Sequence, residues 1–326
     1  LAQDPGIPDE LESPPLNRYV ATLLYDAAHF IFEGPNRVQR WHDPGFITKE
    51  GISVLRGKVV DVHGQAVSGV RVTVEKHQEY GFTMTRSDGR FDIAVNEGRL
   101  RLAFEKFGYP RVHRWVDAVR QRYVHVPKIV LTAFDTQWTK VHLGDGTLQL
   151  AEGSDVSDGD GDRRSVLYFP SNTHAKVTVD GVEREFTTIT VRSTEYTVGL
   201  MGQAAMPAEL PPSVAYTYAV ELSIDEAVNA GATNVRFVDE NGDPKKIYNY
   251  VDNFLEFPVG TRVPVGVYDR ETGTWVPETD CCVIQLNFIS NVPQIDDGGC
   301  GISVTQEELD RSEEHTSELQ SLLIIS

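Results

Sequence analysis

The chain has 326 residues, 40% of them hydrophobic, and its 30 Lys+Arg against 48 Asp+Glu give a formal charge of −18. That length accommodates two or three domains of ~100–200 residues each, and the apolar content is enough to build cores, so wholesale disorder is excluded. The acidic balance disfavours nucleic acid and anionic membrane surfaces as partners, and no run of 18 apolar residues offers a spanning helix.

Residues 1–50 form an approach segment. Leu1 to Pro15 is rich in Pro, Asp and Glu and is expected to be flexible. Asn17 to Phe32 holds one short apolar run compatible with helix or strand. Tyr25-Asp26-Ala27-Ala28 favours a helical turn packed on a neighbouring sheet. Gly34-Pro35 and Asp43-Pro44-Gly45 mark loops.

Residues 51–134 alternate apolar and polar side chains with the period of two that a half-buried strand needs. Val70, Val72 and Val74 face one way and Arg71, Thr73 and Glu75 the other. Phe91, Ile93 and Val95 repeat the pattern, as do Leu100, Leu102 and Phe104. His63-Gly64, Ser87-Asp88-Gly89 and Glu97-Gly98 supply tight turns. Val124, Val126, Ile129 and Leu131 are the apolar members of the last strands. About seven such strands predict a β-sandwich.

Residues 135–292 form a second β-rich domain. Strands are expected over Lys140 to Leu150, Ser165 to Phe169, Ala175 to Val179, Phe186 to Arg192 and Tyr216 to Ile224. Further strands are expected over Asn234 to Val238, Asn249 to Phe254, Arg262 to Asp269 and Cys282 to Phe288. Gly144-Asp145-Gly146 and Asp180-Gly181 read as hairpin turns, and Asp225 to Ala230 as a helical turn closed by Gly231. Pro258-Val259-Gly260 and Pro264-Val265-Gly266 would bend an edge strand and shield it. The fold class is therefore all-β, with tandem β-sandwich domains. Residues 293–310 read as a linker. Arg311 to Ser321, RSEEHTSELQS, looks like the translation of a sequencing-adapter oligonucleotide, so residues 311–326 are set aside as artefact. With Leu1 in place of an initiating Met, this predicts that the chain is a fragment.

No catalytic residue is assigned. The natural histidines are scattered singly, without an HExxH spacing, and read as surface or strand-edge residues. A G-x-S-x-G elbow and a phosphate-binding Gly-rich loop are both absent, and Gly199-Leu200-Met201-Gly202 reads as a turn. Asp155, Asp158, Asp160 and Asp162, in DVSDGDGD, are weak metal candidates. Carboxylates at that spacing suit Ca²⁺, yet no Glu stands at the EF-hand closing position, and a solvated acidic turn fits as well. Calcium is the single cofactor the residues leave open. Asn241-Gly242 reads as a plain hairpin turn. Trp115, Trp138 and Trp275, with Tyr80, Tyr109, Tyr216, Tyr218 and Tyr268, either line a glycan- or protein-binding face or pack within sheets. Cys281 and Cys282 point to opposite faces of a strand and either can pair with Cys300, whereas zinc lacks a fourth ligand.

The text from Leu55 to Val95, with Gly57, Gly64, Gly69 and the turn Asp88-Gly89-Arg90-Phe91, resembles the carboxypeptidase regulatory-like, transthyretin-related module. Glu79-Tyr80-Gly81 and FEKFGYP, followed by the stretch from Thr190 to Pro277, resemble more narrowly the RHS/YD-repeat proteins of bacteria and the related teneurins. The loop Asp239 to Lys246 and the pair Cys281-Cys282, where a polar turn is expected, depart from that pattern. The resemblance implies a non-enzymatic, secreted or cell-surface structural module. It would support or plug a large β-shell built by YD repeats, here an intramolecular partner lying outside this chain. Two alternatives stay open. One is an extracellular adhesion module that binds calcium, a glycan or a surface protein. The other is the accessory domain of a secreted metallocarboxypeptidase.

Overall fold

The computed structural model describes residues 11, 13–179, 181–199, 201–211, 216–232, 234–289, 292–301 and 322–325. Residues 1–10 of the approach segment, Leu200 and the adapter-like stretch within 302–321 lie outside them. The described chain is all-β and divides into two compact units, Leu1–Ala133 with Gly199–Ala215, and Phe134–Val198 with Tyr216–Ser326.

Among its described residues the first unit has eight strands: β1 (Ile52–Asp61), β2 (Arg71–Val74), β3 (Phe82–Met84), β4 (Arg90–Asn96), β5 (Gly98–Glu105), β6 (Val112–Ala118), β7 (Arg122–His125) and β8 (Ile129–Leu131). One sheet pairs β4 antiparallel to β1, with β7 and β8 parallel to successive halves of β1. The other runs β3-β2-β5-β6, antiparallel throughout. The last apolar run is two strands because Pro127, which has no N–H to donate, interrupts it. Phe91, Ile93, Leu102, Phe104, Ile129 and Leu131 are fully buried between the sheets, and Phe91 meets Phe104 edge-on at 5.5 Å. Gly57 lies mid-strand because a Cβ there would sit 2.8 Å from the Phe91 ring.

The N-terminal apolar run forms a short helix, α1 (Leu24–Ala28), continued by a 3-10 turn at His29–Ile31; Leu24, Ala28, Ile31 and Phe32 join the sandwich core. The segment after it explains a departure from simple alternation. Strand β4 is buried on both faces, Asp92 and Ala94 included. Gln39 caps the open edge of β4: its Nε2 donates to the Tyr80 and Ala94 carbonyls at 2.7 and 2.9 Å, and the Ala94 N–H donates back to Oε1 at 2.7 Å. Asp92 takes Arg56 and Arg86, each at 2.9 Å. Arg40 then bridges Phe82, a close approach that only a residue without Cβ permits at Gly81 (φ +63°), where a Cβ would meet the Arg40 carbonyl at 1.9 Å.

The second unit holds β9 (Thr139–His142), β10 (Gln149–Glu152), β11 (Val156–Asp158), β12 (Gly161–Arg163), β13 (Ser165–Phe169), β14 (His174–Val179), β15 (Val182–Phe186), β16 (Thr188–Glu195), β17 (Val220–Ile224), β18 (Val235–Val238), β19 (Tyr248–Asp252), β20 (Arg262–Asp269), β21 (Thr274–Ile289), β22 (Val292–Asp296) and β23 (Leu322–Ile325). Its sheets run β10-β13-β19-β23-β21-β20, with β22 on β21, then β15-β14-β18 and β17-β16-β9; β11-β12 is a separate hairpin. A second helix, α2 (Asp225–Asn229), is followed by Gly231 at φ +73°.

Several expectations shift in detail. Gly144-Asp145-Gly146 is a corner rather than a hairpin, because β9 pairs β16 and β10 pairs β13. The strand expected from Tyr216 contracts to Val220–Ile224. Cys281 and Cys282 lie inside the 16-residue β21, on a strand as expected, although the strand begins earlier, at Thr274. Strand β20 is a sheet edge with a register shift between Val263 and Val265, where Pro264 stands. The second domain expected as an uninterrupted 135–292 gives up residues 199–215, which belong with the first unit. Leu322–Ile325, set aside as artefact on sequence, form a strand paired to both β19 and β21.

Candidate functional site

The acidic hairpin β11-β12 is where the aspartate cluster falls. Its turn is an Asx turn, the Asp160 N–H donating to Asp158 Oδ1 at 2.9 Å. Arg163 chelates Asp158 with two parallel hydrogen bonds of 2.9 Å, holds Glu195 Oε1 at 2.7 Å through Nε, and lies 4.6 Å from the centre of the Phe254 ring. Its side chain is 1% exposed. The hydrogen bonds from Arg163 pull the Asp158 carboxyl down to about 2, and the same pairing pushes the Arg163 guanidinium up. Asp155 stands 3.5 Å from Arg164. The guanidinium thus occupies the position a calcium ion would need at Asp158. Among the described residues, no group of three or more His, Cys, Asp or Glu is placed to hold a metal.

The same device recurs in the second unit. Arg192 chelates Asp225 at 2.8 and 2.9 Å and donates to the Asp135 carbonyl at 2.6 Å, tying α2 and the domain's first residues to β16. Arg270 reaches both Glu221 oxygens at 2.6 and 2.7 Å, and the Tyr196 hydroxyl donates to the same carboxylate at 2.9 Å. Burial pushes the Tyr196 phenol well above its usual range. Such forked pairs have defined geometry and fix elements to one another.

In the first unit, Glu75 on the β2 end receives Arg111, stands 3.5 Å from Arg101, and lies 3.7 Å from His113 Nε2. His113, on the edge strand β6, is 2% exposed and so is not a surface residue. The His113 imidazole, aided by the charges of Arg111 and Arg101, holds the Glu75 carboxyl down at about 2 against the opposing effect of burial. Burial in turn lowers the His113 imidazole, so it is neutral near pH 7. One residue on, Arg114 is buried and sits in the apolar phase of β6 with Val112 and Val116. Its guanidinium donates to the Ala204 carbonyl at 2.7 Å and the Met206 carbonyl at 3.2 Å, while the His113 N–H donates to the Pro207 carbonyl at 2.7 Å. The segment around residues 201–208 therefore straps the exposed edge of β6. An arginine in an apolar register was the signal for this contact, and alternation alone passes over it.

The aromatic residues do not form one face. Tyr80 is buried against Phe46, with its hydroxyl receiving the Asn96 N–H, and Tyr218 packs on Phe254. Tyr268 and Trp275 are a cross-strand pair at 5.4 Å. Trp115 is half-exposed between Arg99 and Arg101, and Trp138 is half-exposed in the other unit. Trp41, absent from the sequence candidates, is 72% exposed at φ +54° and meets Phe82 edge-on at 5.4 Å. The cysteine alternatives resolve to a Cys282–Cys300 disulfide, with Cys281 a buried thiol on the opposite face.

Teneurin-1 of Gallus gallus is 33% identical over 134 residues, 39% of this chain and 5% of that protein. Teneurin-3 of Mus musculus is 33% identical over 109 residues, 31% of this chain and 4% of that protein. The chain thus spans about a twentieth of the length of these relatives. Among solved structures, a streptococcal ancillary pilin aligns over 71% of this chain and 59% of its own at 13% identity, with a TM-score of 0.24 too low to bear on the fold. Residues 47–131 match the family model of the Teneurin TTR-like domain, and over this sandwich the chain is similar to that domain.

Proposed function

We propose that the chain is a non-enzymatic structural module of a secreted or cell-surface RHS/YD-repeat, teneurin-like protein. Its role is to support or plug a much larger β-shell formed by other parts of that protein. The match of residues 47–131 to the Teneurin TTR-like domain carries this reading. The chemistry of the charged clusters agrees with it. Asp158, Glu195, Asp225, Glu221 and Glu75 are engaged by arginines that fasten one element to another, an arrangement suited to rigidity rather than turnover. The Cys282–Cys300 disulfide suits an oxidising compartment. Among the described residues no helix is long and apolar enough to cross a membrane. The calcium-binding alternative requires Asp158 to leave Arg163. Calorimetric titration of the folded chain with CaCl₂ is expected to give neither binding heat nor a melting shift, and a stoichiometric heat would favour the adhesion reading. Sequencing through the natural locus is the decisive test. An in-frame YD-repeat array downstream is the expected result, and a zinc peptidase domain there would overturn the proposal.

A further inference from the structure

The largest sheet of the second unit contains a strand position filled by Leu322–Ile325. Strand β23 lies between β19 and β21, antiparallel to both, pairing Asn249 to Asp252 on one side and Cys282 to Ile284 on the other. The walls have the composition of interior strands. Tyr250, Cys282, Ile284 and Leu286 pack on one face with Leu148, Val166 and Tyr168, while Val251, Cys281 and Val283 pack on the other with Phe254, Phe257, Val263 and Val265. Strands buried on both faces belong inside a sheet, and left open they are templates for unwanted pairing. The true edge of this sheet, β20, carries Pro264 and a register shift. Neither wall has such protection: Tyr248 to Asp252 and Cys281 to Leu286 contain no Pro, Lys or Arg. The strand that fills the position, Leu-Leu-Ile-Ile, follows directly on the adapter-like RSEEHTSELQS. Leu322–Ile325, set aside on sequence, pair with both walls.

We infer that the space between β19 and β21 is a strand-acceptor slot. It takes an extended apolar segment of the same polypeptide C-terminal to Asp310 and completes the sheet around it. The slot selects by backbone pairing and apolar character, not by particular side chains. In β-strand addition generally, main-chain hydrogen bonds supply affinity and side-chain pockets supply specificity. This inference goes beyond the proposed function, and its test does not involve the flanking gene.

Hydrogen exchange read by mass spectrometry on the full chain tests it. In the double variant Leu323→Pro/Ile324→Pro, slot-facing amides of Tyr248–Asp252 and Cys281–Ile284 should exchange about a hundredfold faster, with the sandwich Ile52–Leu131 unchanged as an internal folding control. Leu323→Val/Ile324→Val should keep full protection. Adding the Lys-flanked peptide KKSLLIISKK to the proline variant should restore protection, and KKSIVLVSKK should do so equally. The same peptide with two central prolines should not. Unchanged wall protection in the proline variant overturns the inference, as does failure of the peptides to restore it or restoration by one sequence only. A concentration-dependent dimer of the parent chain assigns the strand to a second copy and overturns the intrachain occupant.

Discussion

The two units reach a fixed structure by different means. The first is built on one continuous cluster of apolar side chains spanning two sheets, from Leu24 to Leu131. The second divides its apolar residues among smaller clusters around Val141, Leu148 and Val251, and joins its elements with Arg163, Arg192, Arg270 and one disulfide. A single large core tolerates polar surface freely. Several small cores leave corners that apolar contact cannot close, and a forked guanidinium closes a corner by geometry instead. The aspartate string that suggests a cation site in sequence lies in this second unit, where Arg163 holds Asp158.

Three substitutions separate these modes. Phe104→Ala empties the middle of the first core and should cost about 3–5 kcal/mol, lowering the first unit's calorimetric transition while leaving the second in place. A shared shift of both transitions would contradict the separation into two stability modes. Arg163→Ala should cost about 3 kcal/mol in the second unit alone, because Asp158 and Glu195 are left without their cation. Arg163→Met, which keeps the packing on Phe254, should recover part of that loss, and equal stability of both variants with the parent would remove the closing role assigned to Arg163. The smallest effect is acid-dependent. Glu75 and Asp158 are both held at about 2 in the folded chain, below their ordinary 4.5 and 3.8. Their contributions are therefore fully present above those ordinary values and are lost as pH falls toward 2, in both units. For the mostly buried Glu75 this amounts to roughly 2–3 kcal/mol. His113, with its pKa lowered, adds a loss that begins as pH drops below 6.5. Glu75→Gln should flatten the acid slope of the first unit and leave the second unit's slope intact, as read by urea unfolding at stepped pH.

Much of the first unit is legible in its residues. Alternating valines at 70, 72 and 74 and the Asp-Gly turn at 88–89 imply short paired strands through local sterics, and the structure has β2 and β4 there. What escapes such reading is long-range. The open edge of β4 is capped by Gln39, some fifty residues earlier, and β6 is strapped by carbonyls ninety residues later. Neither contact has a local period. Arg163 sits in an Asp-rich string whose composition suggests a cation site, yet the cation is the chain's own guanidinium. The cysteine pair is legible as to faces and not as to partner, because strand geometry separates Cys281 from Cys282 while only the fold brings Cys300 to one of them.

The strap on Arg114 also sets an order of events during synthesis. The β6 edge and its buried guanidinium are made before the carbonyls of Ala204, Met206 and Pro207 exist. At ~5–20 residues per second, translation leaves that edge uncovered for several seconds. No contiguous stretch of polypeptide carries the first unit whole, so a chain cut short at Leu131 would keep the sandwich and lose its edge cover. The sandwich is thus finished only after a large part of the following unit has emerged, which couples the maturation of two regions whose interiors are otherwise separate.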